Sequence, residues 1–188
     1  DLHACANCTG FAATHPHAPG RPGFPHADCP MIDSPQEIAL RPANPTDAGK
    51  IRHLIWRAGI NPTGLCWQRF TLACAPDGQI IGCGQVKTHA DGARELASIA
   101  VLPAWQRQGV ATAIIQRLLA EHNTPLYLMC RAQLGPFYHR FGFRAIQEAQ
   151  MPVYFRRISR LVRWLNRFRT DRSGLLVMQR PINGKVLS

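Results

Sequence analysis

The sequence predicts a single α/β domain of the α+β type, and three observations carry that expectation. From residue 36 onward, short strand-like runs alternate with helical patterns. Two of the strand runs are joined by "PDGQ", a tight turn with Asp-Gly at its centre, which makes them an antiparallel hairpin. A chain of 188 residues with 46% hydrophobic content is long enough to bury one core and short for two.

The elements follow in order. "EIALRPA" alternates apolar and polar residues and reads as a strand. "PTDAGKIRHLIWRAG" then opens on Thr46 and Asp47, which suit a helix start, and closes at Gly59. "INPTGL" is turn chemistry, and "WQRFTLACA" and "QIIGCGQVKTH" are the two hairpin strands. "ARELASIAVLP" is a further strand, ended by Pro103. In "GVATAIIQRLLAEH", Val110, Ile114, Ile115, Leu118 and Leu119 recur at helical spacing. "PLYLMC" is a short buried strand, "QLGPFYHRFGF" a brief helix stopped by Gly142, and "FRAI" begins another strand. "GLLVMQR" is the last strand. Between these two, at about 152–172, lies an insertion in which Phe155, Ile158, Leu161, Val162, Leu165 and Phe168 recur at helical steps with arginines between them. An amphipathic helix with a guanidinium-rich outer face is expected there.

The first thirty residues differ from the rest. They hold five prolines and three glycines and no periodic apolar pattern, so they cannot bury enough surface to offset their ordering entropy. We expect a disordered leader over 1–30, set apart from a single domain over 31–188, because Met31 is followed at once by the first strand pattern. The competing reading is a zinc site, since Cys5, Cys8 and Cys29 accompany His3, His15, His17 and His26. One Cys-x-x-Cys pair without a second at matching spacing is a weak signal, so no metal is expected. Cys66, Cys74, Cys83 and Cys130 fall in apolar strand-like settings where a thiol acts as a small hydrophobe. Free thiols suit a reducing, cytoplasmic location, and no run approaches the roughly 20 apolar residues of a membrane span.

Charge is concentrated. The formal net charge is +11, and residues 151–172 carry seven arginines against Asp171 alone, which is six of those eleven charges. Such a helix, at about 154–169, can form a wall beside a substrate opening, or bind nucleic acid or an anionic membrane surface.

"WQRQGVATAII", at 105–115, joins a strand to a helix. The first turn of a helix has four unsatisfied N–H donors and the positive end of the dipole, so it favours anions and phosphates in particular. Gly109 and Ala111 keep side chains clear of a closely approaching ligand, and Arg107 adds a full charge. An ordinary strand-to-helix turn with a glycine for geometry remains the alternative. Gly-x-Gly-x-x-Gly and Gly-Lys-Ser/Thr fingerprints are both absent.

"QRQGVA" resembles the Q/R-x-x-G-x-G/A signature of the GNAT acetyltransferase superfamily. The preceding strand, the helix "GVATAIIQRLLAEH", the strand "PLYLMC" and the block "GPFYHRFGF" fall in the order such proteins show, over about residues 36–180. The resemblance implies a mixed, mostly antiparallel central sheet flanked by helices, splayed beside the strand that contains Ile99 and Val101. It also implies acetyl-coenzyme A as co-substrate, no metal, and N-acetyl transfer by direct attack of an amine in a ternary complex. Ile99, Ala100 and Val101 would bind the pantetheine arm, and Gln106, Arg107, Gln108, Gly109, Val110, Ala111 and Thr112 the pyrophosphate.

Acetyl transfer needs a base for the amine and an acid for the departing thiolate. In proteins that look like this one, a tyrosine at the position of Tyr138 acts as the acid; the alternative is packing beside Phe137 and Phe141. A glutamate at the position of Glu95 is the catalytic base in several members. Strand alternation puts Glu95 on the face of Ala97, Ile99 and Val101, pointing into a partly apolar cleft. An ion pair with Arg94, or a base made of water, is the alternative. His89 ends a strand beside the acceptor side, His139 points away from Tyr138, His53 and His122 read as surface helix residues, and Cys130 as a buried structural thiol. The acceptor is an amine on a small molecule, a lysine or a protein N-terminus. A cationic rim disfavours polyamines and suits acidic acceptors.

Overall fold

The computed structural model describes residues 38–165 and 174–182. The expectations for 1–30, leader and zinc site alike, and for the far end of the basic insertion lie outside the described residues. All described residues fall within one compact unit, Pro35–Ser188.

Seven strands and four helices follow the predicted order: β1 (Ala39–Pro42), α1 (Ala48–Arg57), β2 (Phe70–Cys74), β3 (Ile80–Thr88), β4 (Arg94–Val101), α2 (Val110–Glu121), β5 (Leu126–Arg131), α3 (Gly135–His139), β6 (Arg144–Ala145), α4 (Val153–Leu165) and β7 (Leu175–Arg180). They form one sheet in the order β1-β2-β3-β4-β5-β7-β6. Every neighbouring pair is antiparallel except β4 with β5. The sheet is therefore mixed and mostly antiparallel.

Local chemistry sets the boundaries. Asn44 caps the turn Pro45–Asp47 that feeds α1, its side chain accepting from the Thr46 amide at 3.0 Å. The buried Asp47 carboxylate accepts from both Arg41 guanidinium nitrogens, at 2.7 and 3.0 Å, which ties the start of α1 to β1. Gly78 turns the β2–β3 hairpin with φ of +81°.

The helices cover the two faces. Val110, Ile114, Ile115 and Leu118 of α2 are buried against Ala73, Ile81, Val86 and Leu96. On the opposite face, Ile51, Leu54 and Ile55 of α1 pack on Leu72, Cys83 and Ala100. Phe155 of α4, fully buried, packs with Ala93 and Val177. Two glycines let α2 lie directly on β3: a Cβ on Gly84 would stand 2.5 Å from Ile99 Cδ1 and 2.7 Å from Ile114 Cγ2, and one on Gly82 2.9 Å from Val110 Cγ1. That close seat fixes where the start of α2 points. No helix among the described residues is long and apolar enough to cross a membrane.

Candidate active site

The parallel contact of β4 with β5 lasts only two residue pairs, Arg94↔Leu126 and Glu95↔Tyr127. Beyond Glu95 the strands part. β4 stays on β3 as far as Val101↔Gly82, and β5 stays on β7 as far as Arg131↔Leu175. Backbone that would pair in a continuous sheet instead lines a wedge, with a cavity of about 390 Å³ bordered by residues 96–101 of β4, Met129, Cys130 and Arg131 of β5, Gln106, Leu134 and Tyr138. Unpaired strand backbone on one side and apolar side chains on the other suit a ligand that is both amide-bearing and extended. Ile99, Ala100 and Val101 all lie on this border.

Gln106, which borders the cavity, lies in the loop that leads from β4 to the start of α2. Gly109 occupies its N-cap position with φ of +83°, and no side chain caps it. The first backbone bond into this end is from the Ala113 amide to the Gly109 carbonyl, at 2.9 Å, so the amides of residues 109–112 have no helical partner. Nothing lies within 4 Å of where a Gly109 Cβ would be, so the glycine meets a backbone requirement and the space above it is open. Arg107 is also left-handed, with φ of +65°, and exposed. The glutamines do local work: Gln106 Nε2 donates to the Val101 carbonyl at 3.2 Å and Gln108 Nε2 to the Ala104 carbonyl at 2.8 Å. They brace the loop between β4 and α2.

Tyr138, on α3, borders the cleft while its ring packs edge-on against Phe137 at 5.1 Å and Phe143 at 6.2 Å. Burial, with a smaller effect of Cys130, pushes its phenol up to about 12, so the proton stays on through neutral pH. The neighbouring Cys130 thiol is pushed up to about 11 by burial alone, which makes it a neutral thiol and a poor nucleophile.

Glu95 is buried and sits at the apex, the last β4 residue paired with β5. Its expected facing is corrected by a β-bulge. The β3–β4 register shifts between Cys83 and Gln85, and Ser98 opposite takes φ of +58°. Alternation therefore flips: Leu96, Ile99 and Val101 share the α2 side, whereas Ala100 packs with α1. Glu95 and Ala97 lie on the α1 side, across the sheet from Ile99 and Val101. Ala97 borders the cleft. The bulged Ser98 is held by Gln85, whose Nε2 donates to its Oγ at 3.0 Å.

The partner of Glu95 is His89, not Arg94. His89 Nε2 stands 2.9 Å from Glu95 Oε2, while Arg94 reaches Thr124 Oγ1 at 3.3 Å and Lys87, the cross-strand neighbour of Glu95, donates to the Thr63 carbonyl at 3.0 Å. The His89 ring is stacked on Tyr154 of α4, with centroids 3.6 Å apart. Sequence reasoning found neither contact, although a hairpin closing at Thr88↔Arg94 brings positions 89 and 95 together and was readable. His139 is exposed and turned to Arg144, as expected. His53 lies on the outside of α1; His122, half-buried beyond the end of α2, is held below the usual histidine range by burial and then by Arg94.

Residues 67–145 match the model of the acetyltransferase (GNAT) domain. No curated protein matches the chain in sequence. Among solved structures, the fold resembles N-acetylglutamate synthase from Neisseria gonorrhoeae complexed with coenzyme A and N-acetyl-glutamate, with a TM-score of 0.62 and 20% identity over 78% of this chain; the chain spans only 35% of that protein. Rv2747 from Mycobacterium tuberculosis, in complex with coenzyme A, gives a TM-score of 0.58 and 22% identity over 76% of this chain and 98% of that one. The ribosomal-protein-S18-alanine N-acetyltransferase from Escherichia coli gives 0.55 and 19% over 81% and 98%.

Proposed function

We propose that this chain, whose residues 67–145 match the model of the acetyltransferase (GNAT) domain, transfers an acetyl group from acetyl-coenzyme A to an amine by direct attack in a ternary complex. The observation that carries the reading is the wedge between β4 and β5 leading to the uncapped start of α2. An uncapped helix start suits an anion and an unpaired strand edge suits an extended arm, and Gln106 belongs to the loop between them. The open amides of residues 109–112 bind the pyrophosphate, with Arg107 adding charge, and Gln106 and Gln108 hold the loop in shape. The backbone of Ile99, Ala100 and Val101 binds the pantetheine arm, which directs the thioester toward the apex. The co-substrate supplies the activated acyl group.

At the apex, Glu95 takes a proton from the acceptor amine as the new C–N bond forms. Tyr138 gives its proton to the sulfur as the C–S bond breaks. A phenol held neutral by burial is suited to that donation. The acceptor is an amine on a small molecule or a peptide, and the free thiols of Cys66, Cys74, Cys83 and Cys130 favour the cytoplasm as its setting. Saturating acetyl-coenzyme A should raise the melting temperature, as ligand linkage requires, and a panel of amines read by release of free thiol should identify the acceptor. An unchanged melting temperature would remove the cofactor reading.

A second reading is favoured by one observation: Arg157, Arg160, Arg163 and Trp164 are exposed on α4. In that reading the fold is a scaffold and the helix binds nucleic acid or an anionic membrane. Arg160 and Arg163 already share the Glu148 carboxylate, at 2.5 and 2.9 Å, which favours a structural use for two of them. Retention on anionic vesicles or nucleic acid that Arg156→Gln with Arg157→Gln abolishes, with acetyl transfer intact, would support the second reading.

A further inference from the structure

We propose that the inserted helix α4 serves the reaction by holding the base: His89 and Tyr154 are positioning residues for Glu95. The proposal rests on the reading of Glu95 as the proton acceptor.

An ionised carboxylate only accepts hydrogen bonds, so a Glu95 that serves as the base takes the 2.9 Å contact from His89 Nε2–H, which donates to Oε2. One oxygen is thereby fixed, and in the proposed reading Oε1 is the atom that takes the acceptor's proton. A single bond would still let the imidazole swing. Here the ring is closed in on two sides by consecutive residues of α4. Tyr154 stacks on its face at 3.6 Å with an interplanar angle of 18°, and the buried Phe155 meets it edge-on at 5.6 Å and 79°.

The helix is in turn tied to the hairpin that carries the pair. Asp91 Oδ2 accepts from the Tyr154 amide at 2.9 Å, and Asp91 Oδ1 from the Ala93 amide at 3.2 Å. The Tyr154 amide belongs to the first turn of α4, where helix donors lack partners. Asp91, Tyr154, His89 and Glu95 thus form a closed circuit between the β3–β4 turn and the insertion. The nearby cations are occupied elsewhere, Lys87 on Thr63 and Arg94 on Thr124, which leaves His89 as the partner of the carboxylate among the described residues.

Two measurements test this on the full chain. In the first, nitrogen-15 histidine spectra without any acceptor should show His89 as a fixed Nε2–H tautomer. Tyr154→Ala should average that signal toward a mobile ring, and Tyr154→Phe, which keeps the stack, should leave it unchanged. A signal unmoved by Tyr154→Ala overturns the proposal. In the second, thiol release from acetyl-coenzyme A is followed with a mixture of the twenty amino acids and a short acidic peptide as acceptor probe. Glu95→Gln should lose about a hundredfold or more in kcat, His89→Ala and Tyr154→Ala about tenfold, and His89→Gln and Tyr154→Phe should recover most of it, with KM for acetyl-coenzyme A within about twofold throughout. Parental kcat in Glu95→Gln sinks the base reading itself. An inactive Glu95→Gln beside fully active His89→Ala and Tyr154→Ala sinks only the positioning role, as does a loss that the conservative variants share.

Discussion

At the scale of the residue, substitutions at Gly109 and Tyr138 test the proposed binding and the proposed chemistry separately. Gly109→Glu puts a side chain at φ of +83°, a strain of about 1–2 kcal/mol, into space where nothing stands within 4 Å. The fold should persist while calorimetry shows acetyl-coenzyme A binding lost, because the new carboxylate occupies the anion site; Gly109→Ala, strained but uncharged, should lose far less. Tyr138→Phe should instead lower kcat by about ten- to a thousandfold with cofactor affinity nearly unchanged. The same residue sets an alkaline limit on stability. Its phenol titrates near 10 when unfolded and is pushed up to about 12 in the fold, so folded and unfolded states hold the proton equally below pH 10. As pH rises from 10 through 12, only the unfolded state ionises freely, and stability falls by about 3 kcal/mol. Tyr138→Phe should flatten that part of a plot of melting temperature against pH.

At the scale of the element, the strand pattern was readable and its interruption at Ser98 was not. The strands and longer helices lie within the stretches that the pattern marked, because β1–β5, β7, α1, α2 and α4 bury apolar residues against the sheet; Trp67–Arg69, read as the start of a strand, is instead a 3-10 turn. What alternation could not convey was the bulge at Ser98, since an extra residue in a strand leaves no mark on composition but turns every later side chain to the opposite face. Hence the loop at 105–115 and Tyr138 were legible as candidates, while the true surroundings of Glu95, with His89 and Tyr154, depended on a register and an insertion that only three dimensions bring together. The glycines of β3 were likewise silent. Gly84→Ala would set a methyl 2.5 Å from Ile99 Cδ1, and we expect it to cost about 1–3 kcal/mol and to weaken acetyl-coenzyme A binding as α2 is pushed off its seat. Thermal melts and calorimetry on that variant check both effects.

At the scale of the whole molecule, the expected domain limit gives a direct test: protein beginning at Met31 should keep the melting temperature and the acetyl transfer of the full chain, and a loss of bound zinc together with stability would restore the Cys and His site. The shape of the sheet has a mechanical consequence as well. Strands β1–β4 and β5–β7 share backbone pairing only at Arg94↔Leu126 and Glu95↔Tyr127, a short hinge between two leaves that one apolar core, with Ile81 and Leu96 on one side and Leu128 and Met178 on the other, also holds together. A small rotation about that hinge widens the mouth by the Gly109 loop many times more than it displaces Glu95, which lies on the pivot. Under the proposed function, travel at the rim would serve entry and release of the coenzyme while the groups at the pivot stay in register. Amides along residues 96–101 should accordingly exchange with solvent quickly in the free protein and slow sharply with acetyl-coenzyme A, and those of Arg94 and Glu95 should be slow in both.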